Sequence, residues 1–484
     1  MLFPTILFIL YFLPVALLLY LVCSFSRSAQ NVCLLFISLV FYAWGEPLHL
    51  LPLLFTIAVS YGLGLLLTND KLAAYRRKVV AAAVALIMGM LLLVRYGGWL
   101  AAQIADLAGL RLAIDFPQAP LGVAFFSLQA LSYVFDVSRG KVQREKNILN
   151  VGLFIALFPT VLAGPILKYA DLAGQIKNRK VTPELLGRGC ARFVTGLAKL
   201  MLLAAPLSLI AHHVFTMSAL GSPAYDLPVM PAWLGLFAFR LPLYFGFSAY
   251  SDIATGLAAL FGFSIRGNFN YPYVALTVTG FWRRWHISLF TWFHKYVYAA
   301  LGGSPPQQVR VRGMQKTRNL VMRNLFVFWL LIGLWHGIDC TYVIWGMWFF
   351  VFFLFEWTVR LPQRGISSPA WHIYVLLVVA LGWVCFRCYS VGESMNYLSN
   401  MLGLNSNGFY SELAVVFVRE NWLPLLAGLL FCTPAAKIVE DRIADENGGV
   451  LRYPLAAVYA LALAGLFCLG MVFLVKGGHI PFIM

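Results

Sequence analysis

Long apolar runs recur along the chain and set the first expectation about its architecture. A helix needs about 20 apolar residues to cross a hydrocarbon core roughly 30 Å thick. The plainest runs of this kind are residues 5–22, 49–68, 79–94, 342–355, 372–385 and 452–475. These runs predict an all-α polytopic membrane protein. Because no soluble domain or convincing repeat separates them, we expect one membrane-embedded domain over residues 1–484.

The segment 148–166 departs from this pattern, since the loops on both of its sides are basic. A complete crossing would place these loops on opposite sides of the membrane, whereas basic loops collect on the cytoplasmic side. The segment also contains Phe158-Pro159-Thr160 and Ala163-Gly164-Pro165, and proline interrupts a helix. We therefore expect a re-entrant or broken segment, which is tolerated at membrane depth only where protein or a watery cavity surrounds it.

The segment 264–318 lies between spans, yet it is aromatic and basic at once, above all from Phe281 to Tyr296. If this stretch is one helix, one of its faces carries Trp282, Trp285, Leu289, Trp292 and Phe293. Another face carries Arg284, Ser288 and Thr291. Such a helix suits the membrane interface, with rings at the level of the headgroups and basic groups reaching water. Taken alone, the pattern favours this interfacial helix over a catalytic segment.

Composition agrees with a membrane protein. The 484 residues are 61% hydrophobic and 11% charged, whereas soluble domains carry roughly 25% charged residues. The formal net charge of +17 comes from Lys and Arg between the spans. This is the positive-inside bias of membrane proteins, and we expect no nucleic-acid partner because the basic residues form no separate domain.

The distribution of basic residues predicts an orientation. The basic segments are Lys71–Lys78, Arg139–Lys146, Lys168–Arg188 and Arg310–Arg323, whereas residues 1–26 and 213–230 have neither Lys nor Arg. Placing the basic segments in the cytoplasm puts the N-terminus outside it. The first apolar run lacks a basic start and a small-residue cleavage site, so we expect it to remain as a helix.

Eight cysteines do not form a recognisable framework. Most of them lie in or beside apolar runs, where Cys behaves as a small buried hydrophobe. Cys385 and Cys388 form a single CxxC, which is weak support for metal or redox chemistry without a second ligand pair. We interpret it as packing and expect no metal site.

His336 is the most unusual polar residue, because it ends an apolar stretch that begins at Phe326. Ionisable groups inside a membrane are costly and are by default functional candidates. Gly333 and Gly337 would let a ligand or another backbone approach closely. If the span begins near Val321, His336 lies about 22 Å further, toward the extracytoplasmic side. There a neutral imidazole could take a proton from a hydroxyl. The alternative is a histidine at a helix end, bonded to a neighbouring carbonyl.

A further polar cluster contains Tyr250, Ser251 and Asp252, followed by Asn268 and Asn270. Asp252 sits among apolar residues and should be paired with a cation. Arg240, Arg266 or Arg283 could supply this charge, and the sequence does not say which. A structural ion pair and a catalytic part are equally compatible with this pattern.

Several motifs together resemble the membrane-bound O-acyltransferase family (MBOAT), and most of all its bacterial alginate O-acetyltransferases and teichoic-acid D-alanyl transferases. The motifs are Phe41-Tyr42-Ala43-Trp44, Pro120-Leu121-Gly122-Val123-Ala124-Phe125-Phe126, Phe158-Pro159 to Gly164-Pro165, Tyr250 to Gly256, Asn268-Phe269 with Pro272-Tyr273, Phe281 to Leu289, Leu334-Trp335-His336-Gly337, and Trp383 with Phe386-Arg387. The resemblance covers about residues 1–400 and is most specific over residues 120–390.

The resemblance implies roughly 11–13 transmembrane helices, with re-entrant segments, in a ring around a funnel and a narrow tunnel. His336 matches the family's central histidine, which serves as general base or organises acyl transfer, and His286 matches the second histidine of this branch. Further candidates for contact with substrate are Tyr250, Ser251, Asp252, Asn270, Trp282, Arg283, Trp285, Ser288 and Trp335.

The resemblance also implies a function. We expect an acetyl group to move from a cytoplasmic donor such as acetyl-CoA to hydroxyls of an extracytoplasmic polysaccharide such as alginate. The transfer would be direct or pass through a periplasmic or surface acetyltransferase, from a bacterial inner membrane and without a permanently bound cofactor.

Two alternatives stay open at this point. One is D-alanyl transfer to teichoic acid from a carrier protein. The other is a lipid or solute transporter, since broken helices and polar residues at mid-membrane are usual there too.

Overall fold

The computed structural model describes residues 1–109, 119–209, 211–212, 227–302, 314–359, 369–404, 406, 408–444 and 452–476. These ranges contain helices and no strand. The stretch 213–226, which has neither Lys nor Arg, and the basic residues of 303–313 lie outside them. The all-α prediction is confirmed for the described part of the chain.

Helices of spanning length account for every apolar run singled out in the sequence. Over the described ranges, nine candidate spans cover Leu7–Phe25, Pro47–Leu66, Asp70–Leu107, Pro183–Leu209, Val229–Leu260, Arg318–His336, Cys340–Val359, Pro369–Arg387 and Tyr453–Val475. A bent pair, Val418–Phe431 with Ala435–Ile443, is a tenth candidate. Two shorter apolar helices, Arg27–Ala43 and Val123–Ser138, could raise the number of crossings further. A polytopic membrane protein is confirmed, and the count of 11–13 stays a prediction.

The chain divides into two compact units, which are described separately. The first unit comprises Met1–Phe193 with Ile253–Arg266, and the second comprises Val194–Asp252 with Gly267–Met484. Helices of the first unit are α1 (Leu13–Val22), α2 (Arg27–Ala43), α3 (Leu50–Leu66), α4 (Arg76–Leu107), α5 (Val123–Ser138), α6 (Ile148–Ala156), α7 (Phe158–Val161), α8 (Tyr169–Lys177) and most of α9 (Pro183–Ala198).

The second unit holds most of α10 and all later helices. They are α10 (Val229–Leu260), α11 (Val278–Trp282), α12 (Ile287–Phe293), α13 (Met314–His336), α14 (Cys340–Val359), α15 (Pro369–Arg387), α16 (Val391–Leu402), α17 (Glu412–Phe431), α18 (Ala435–Ala444) and α19 (Arg452–Val475). A π-helical turn, Lys199–Ala204, continues α9 into this unit.

The broken segment predicted over residues 148–166 is confirmed within the first unit. Helix α6 ends at Ala156, Leu157 leaves the helical conformation with ψ 109°, and α7 begins at Phe158. The break frees the backbone N–H of Phe158, which donates to the Ser38 hydroxyl at 3.1 Å. Residues Val151 to Leu167 are buried throughout. The break is therefore surrounded by protein, as irregular backbone in a membrane protein requires.

A buried arginine ties the ends of several helices together in the first unit. The guanidinium of Arg179 donates to Asn31 Oδ1 at 2.6 Å, to the Tyr20 hydroxyl at 3.0 Å and to the Phe261 carbonyl at 3.1 Å. It also lies 4.4 Å from the centre of the Phe263 ring. This basic residue therefore contributes packing and hydrogen bonds in addition to the charge bias of its segment.

Helices α13 and α14 pack backbone against backbone in the second unit. A Cβ at Gly346 would lie 2.5 Å from the Trp329 carbonyl oxygen, and one at Gly333 would lie 2.6 Å from that of Tyr342. Small residues permit this approach and increase van der Waals contact where lipid offers no hydrophobic driving force. The close approach expected at Gly333 is confirmed, and the group that approaches is the backbone of α14.

The segment 278–298 differs from the single interfacial helix suggested by its pattern, and that interpretation is wrong. Helix α11 ends at Trp282, His286 has a left-handed φ of 42°, and α12 then begins at Ile287. Trp282 and Trp285 are buried, as are Leu289, Trp292 and Phe293. The reason is tertiary: rings and aliphatic side chains from other helices surround the segment on several sides, so its apolar residues pack against protein.

The start of α11 is fixed by a carboxylate from α14. The backbone N–H groups of Val278 and Thr279 both donate to Glu356, the latter at 2.9 Å. Glu356 is fully buried, so a negative charge or a strong acceptor sits where the helix start offers unsatisfied donors. This contact holds the segment that carries Trp282, Trp285 and His286.

We predict that Gly346→Ala destabilises the protein, because the added methyl group collides with the Trp329 carbonyl and overpacking costs about 1–3 kcal/mol. The matched control is Gly465→Ala in α19, where a Cβ meets nothing within 4 Å. Thermal unfolding in detergent micelles should show a lower Tm for Gly346→Ala and an unchanged or slightly higher Tm for Gly465→Ala. Equal melting temperatures for the two variants would contradict the packing of α13 on α14.

Candidate active site

A small apolar cavity lies in the second unit and has two histidines in its wall. Its walls are Leu243, Phe247, Trp282, Trp285, His286, Leu289, His336, Trp345, Trp383 and Phe386. These residues come from α10, α11, α12, α13, α14 and α15 and from the turn between α11 and α12. The free space would hold roughly one water molecule. The cavity therefore brings two imidazoles to one place and admits little water.

His336 is the last residue of α13 and is half-buried in the cavity wall. Its ring lies 4.8 Å from that of Trp335, 5.1 Å from those of Trp345 and Phe386, and 6.2 Å from that of Tyr342. These aromatic neighbours restrict the orientation of the imidazole. A histidine at a helix end was the alternative to a functional one, and here the helix-end residue also lines the cavity.

His286 lines the same cavity and is buried. It is one of two residues other than glycine with positive φ in the described chain, the other being Tyr271 at 45°. Burial lowers the pKa of His286 to about 4, opposed by a weaker interaction with its own backbone. The imidazole is therefore neutral near pH 7. Sparsely populated backbone conformations of this kind are retained where the surrounding structure enforces them, often at functional sites.

Asn268 enforces the conformation of the His286 turn. Its side-chain Oδ1 accepts a hydrogen bond from the Ser288 N–H at 2.8 Å, and its backbone carbonyl accepts one from Ile287 at 2.8 Å. Its Nδ2 lies 3.4 Å from His286 Nδ1. Asn268 is buried. It stood in a recognised motif but not among the substrate candidates, and no pattern in the sequence separates its role from that of Asn270.

Six of the residues singled out in the sequence come together at the cavity. Trp282, Trp285, His286 and His336 form parts of its wall. The Trp335 ring lies between the two histidines, 6.4 Å from His286 and 4.8 Å from His336. The Ser288 hydroxyl lies 3.5 Å from His286 Nδ1.

The other five candidates lie outside the cavity wall. Arg283 and Asn270 are exposed. The backbone of Asn270 pairs with that of Arg284 at 2.9 Å, so its contribution is to hold the turn. Tyr250 and Ser251 are buried in α10, and Asp252 lies beside them.

Asp252 is paired, as expected, but the three arginines proposed as its partner are the wrong residues. Lys199 Nζ lies 2.6 Å from Asp252 Oδ2 and also donates to the Ser248 hydroxyl at 3.1 Å. Lys199 begins the π-helical turn after α9, more than fifty positions earlier in the chain. Both side chains are mostly buried, 24% and 15% exposed. The pairing depends on how the two helices pack against each other. The spacing of apolar residues along each helix does not give this information.

Most of the cavity wall was not identified as functional from the sequence. Trp345, Trp383 and Phe386 face His336 or the tryptophans beside it, with ring separations from 5.1 to 6.0 Å. In the sequence such residues look like core. Only Trp383 and Phe386 carried a signal, as part of the recognised motif set.

The lowered pKa of His286 has a consequence for stability. Between pH 6.5 and 4 the unfolded chain binds a proton at this residue that the folded chain does not. The free energy of unfolding should therefore fall by up to about 3 kcal/mol as the pH falls through this window. Above pH 6.5, His286 should add no pH dependence to the free energy of unfolding. We predict that the Tm of His286→Asn in detergent micelles decreases less between pH 6.5 and pH 4 than the Tm of the wild type. Asparagine suits this test because it tolerates the left-handed backbone. Parallel pH profiles of Tm would contradict a neutral His286.

Comparison with known proteins identifies a family and several similar proteins. A family model described as the membrane-bound O-acyltransferase family matches residues 54–399, a range that contains the whole cavity wall. The chain is 36% identical to the probable alginate O-acetylase AlgI of Pseudomonas aeruginosa, over 80% of this chain and 72% of that protein.

Two relatives of lower identity carry the names of other transferases. The chain is 27% identical to the peptidoglycan O-acetyltransferase of Helicobacter pylori, over 90% of this chain and 87% of the relative. It is 23% identical to the teichoic acid D-alanyltransferase of Bacillus subtilis, over 56% of this chain and 67% of the relative.

Proposed function

This chain belongs to the membrane-bound O-acyltransferase family and is an acyltransferase, and we propose that it moves acetyl groups to hydroxyls of an extracytoplasmic polysaccharide. The observation that carries the proposal is the apolar cavity with His286 and His336 in its wall. The family assignment sets aside the alternative of a lipid or solute transporter. The named relatives, which include alginate O-acetylases, favour acetyl as the group and a polysaccharide as the acceptor.

The reaction needs a base and an environment in which water does not hydrolyse the thioester. In acyl transfer, the hydroxyl oxygen of the acceptor attacks the thioester carbonyl carbon, the new C–O bond forms, and the C–S bond breaks. His336 would take the hydroxyl proton during attack and return it to the departing thiolate. The acceptor is then an ester and the donor a free thiol. Walls of Trp282, Trp285, Trp345, Trp383 and Phe386 keep the reacting atoms away from bulk water.

We propose acetyl-CoA as the donor, bound from the cytoplasmic side, with no permanently bound cofactor. The acceptor would be reached from the other side, directly or through a periplasmic or surface acetyltransferase that receives the acetyl group. D-alanyl transfer from a carrier protein is the second candidate, favoured by the match to a D-alanyltransferase. The identity of the donor separates the two candidates.

We predict that His336→Ala and His336→Gln lower acetyl transfer about 100-fold or more, since a positioned base contributes roughly 10²–10⁴ in rate. Membrane vesicles that contain the protein would be given radiolabelled acetyl-CoA and an alginate acceptor, with free CoA and labelled polysaccharide as readouts. The matched control is His49→Ala in the first unit, a histidine paired with Glu46 at 3.0 Å. It should transfer at the wild-type rate.

Two results of this assay would count against the proposal. Wild-type rates for both His336 variants, at equal amounts of folded protein, would show that His336 is not the base. Transfer from a D-alanyl carrier protein but not from acetyl-CoA would replace acetyl by D-alanyl as the group moved.

We further propose that the protein resides in a bacterial inner membrane with its N-terminus outside the cytoplasm. Two basic loops in the first unit contact each other, which supports their placement on the same side of the membrane. Arg144 donates to the Thr68 hydroxyl at 2.9 Å, and the Tyr61 hydroxyl donates to the Lys146 carbonyl at 2.9 Å. The loops after α3 and after α5 therefore lie together, and their Lys and Arg residues favour the cytoplasmic side.

This orientation predicts the labelling of single cysteines by a membrane-impermeant maleimide in intact cells. In a protein whose exposed Cys190, Cys340 and Cys468 are serine, Asp339→Cys beside His336 should react and Lys141→Cys should not. Both should react after the cells are opened, which is the control for accessibility. Reaction of Lys141→Cys alone in intact cells would reverse the proposed orientation.

A further inference from the structure

The amide of Asn268 has only one orientation that satisfies its neighbours. A backbone N–H, that of Ser288, points at one end of this amide from 2.8 Å. An N–H can only donate, so the atom that it meets must be the amide oxygen, and the NH₂ group must face the other way. The carbonyl of the same residue holds the Ile287 N–H at 2.8 Å, so two successive backbone donors keep Asn268 in place.

The NH₂ group of Asn268 therefore faces the His286 ring. Its Nδ2 lies 3.4 Å from His286 Nδ1. A donor pointing at a ring nitrogen requires that nitrogen to be the acceptor, because two N–H groups facing each other repel. The Ser288 hydroxyl lies 3.5 Å from the same nitrogen and can donate to it as well. These contacts are long, as catalytic hydrogen bonds often are before substrate binds.

A neutral imidazole that accepts at Nδ1 carries its proton on Nε2. His286 is neutral near pH 7 because burial lowers its pKa to about 4. A group with so low a pKa is a weak base, which suits it poorly to proton removal from a hydroxyl. The ring nevertheless lines the cavity that His336 also lines.

We propose that His286 donates a hydrogen bond from Nε2 to the carbonyl oxygen of the acyl thioester, and that Asn268 is the positioning residue that sets this tautomer. This inference rests on the proposed acyl transfer. As the hydroxyl attacks, negative charge develops on the carbonyl oxygen, and an oriented donor in an apolar cavity stabilises that charge. His336 moves the proton, and His286 keeps its own proton throughout.

The competing arrangement places the proton on Nδ1. The carbonyl of His286 itself lies near its ring and would accept such a proton. In that arrangement the Nδ1–H would face the Asn268 NH₂ group, and Nε2 would be an acceptor in the cavity. The two arrangements give opposite chemistry at Nε2, so experiment can separate them.

The first test compares two amide replacements of His286. In His286→Gln the amide nitrogen can occupy the position of imidazole Nε2 and donate, whereas the shorter Asn amide reaches only the position of Nδ1. Loss of an oriented donor to an oxyanion costs roughly 10²–10³ in kcat, so we expect that loss for His286→Asn and at least tenfold more activity for His286→Gln. Thermal unfolding checks that both are folded, because Asn tolerates the left-handed backbone better than Gln.

The second test replaces Asn268 by aspartate, which has nearly the same shape. A carboxylate beside Nδ1 draws the imidazole proton to that nitrogen and removes the donor from Nε2. Asn268→Asp should lower kcat about 100-fold with little change in KM. Its activity relative to the wild type should rise as the pH falls, because protonation of the ring restores an Nε2–H. Asn178→Asp, an exposed asparagine, is the matched control and should behave like the wild type.

A spectroscopic measurement decides the tautomer without any substrate. The ¹⁵N resonances of labelled histidine in the membrane-embedded protein, assigned to His286 by difference from His286→Gln, should show Nε2 protonated in the wild type and Nδ1 protonated in Asn268→Asp. Nδ1 protonation in the wild type, or equal activity of His286→Gln and His286→Asn in folded protein, would overturn the proposal. Failure of acetyl transfer in the wild type with Nε2 protonated would instead refute the proposed function alone.

Discussion

Backbone N–H and C=O groups inside a bilayer must find partners within the protein, because hydrocarbon offers none and each unsatisfied group costs several kcal/mol. Long helices meet this requirement by themselves, and the described chain has nine helices long enough to span a membrane. The consequence is that each departure from helix needs a partner of its own. The structure supplies a side-chain partner at three such breaks.

Three side chains serve the breaks in this way. Ser38 accepts from the N–H of Phe158 where α6 ends, Glu356 accepts from Val278 and Thr279 where α11 begins, and Asn268 accepts from Ser288 where α12 begins. The last two hold the segment that carries His286. The cost of irregular backbone in the membrane is thus offset by buried polar groups, and the left-handed turn at His286 is stable because Asn268 and Ser288 leave it little freedom.

The same constraint explains why the site is aromatic. A cavity within a membrane protein that must exclude water needs walls that are mostly apolar surface. Tryptophan and phenylalanine rings fill the space and pack edge to face, as Trp282 does on Trp345 and on Phe349 at 5.6 and 4.9 Å. With two imidazoles in such walls, the proposed attack on a thioester would meet little competition from water. Lys199 and Asp252, which lie outside the cavity wall, pair with each other.

The sequence by itself determined the membrane location, the broken segment at residues 148–166 and the family, and it singled out His286 and His336 as candidates. Apolar run length and helix-breaking residues are local properties, and the motifs are strings of neighbouring residues, so both can be read from the chain. Only the tertiary structure decided that Lys199 pairs with Asp252, that residues 278–293 form two short helices joined by a turn, and that Asn268 faces the ring of His286. These features depend on contacts between segments, several of which are far apart in sequence. A hydrophobic period of about 3.6 residues indicates that one face of a helix is buried, but it does not identify the segment that packs against that face. The cavity walls come from six helices for the same reason.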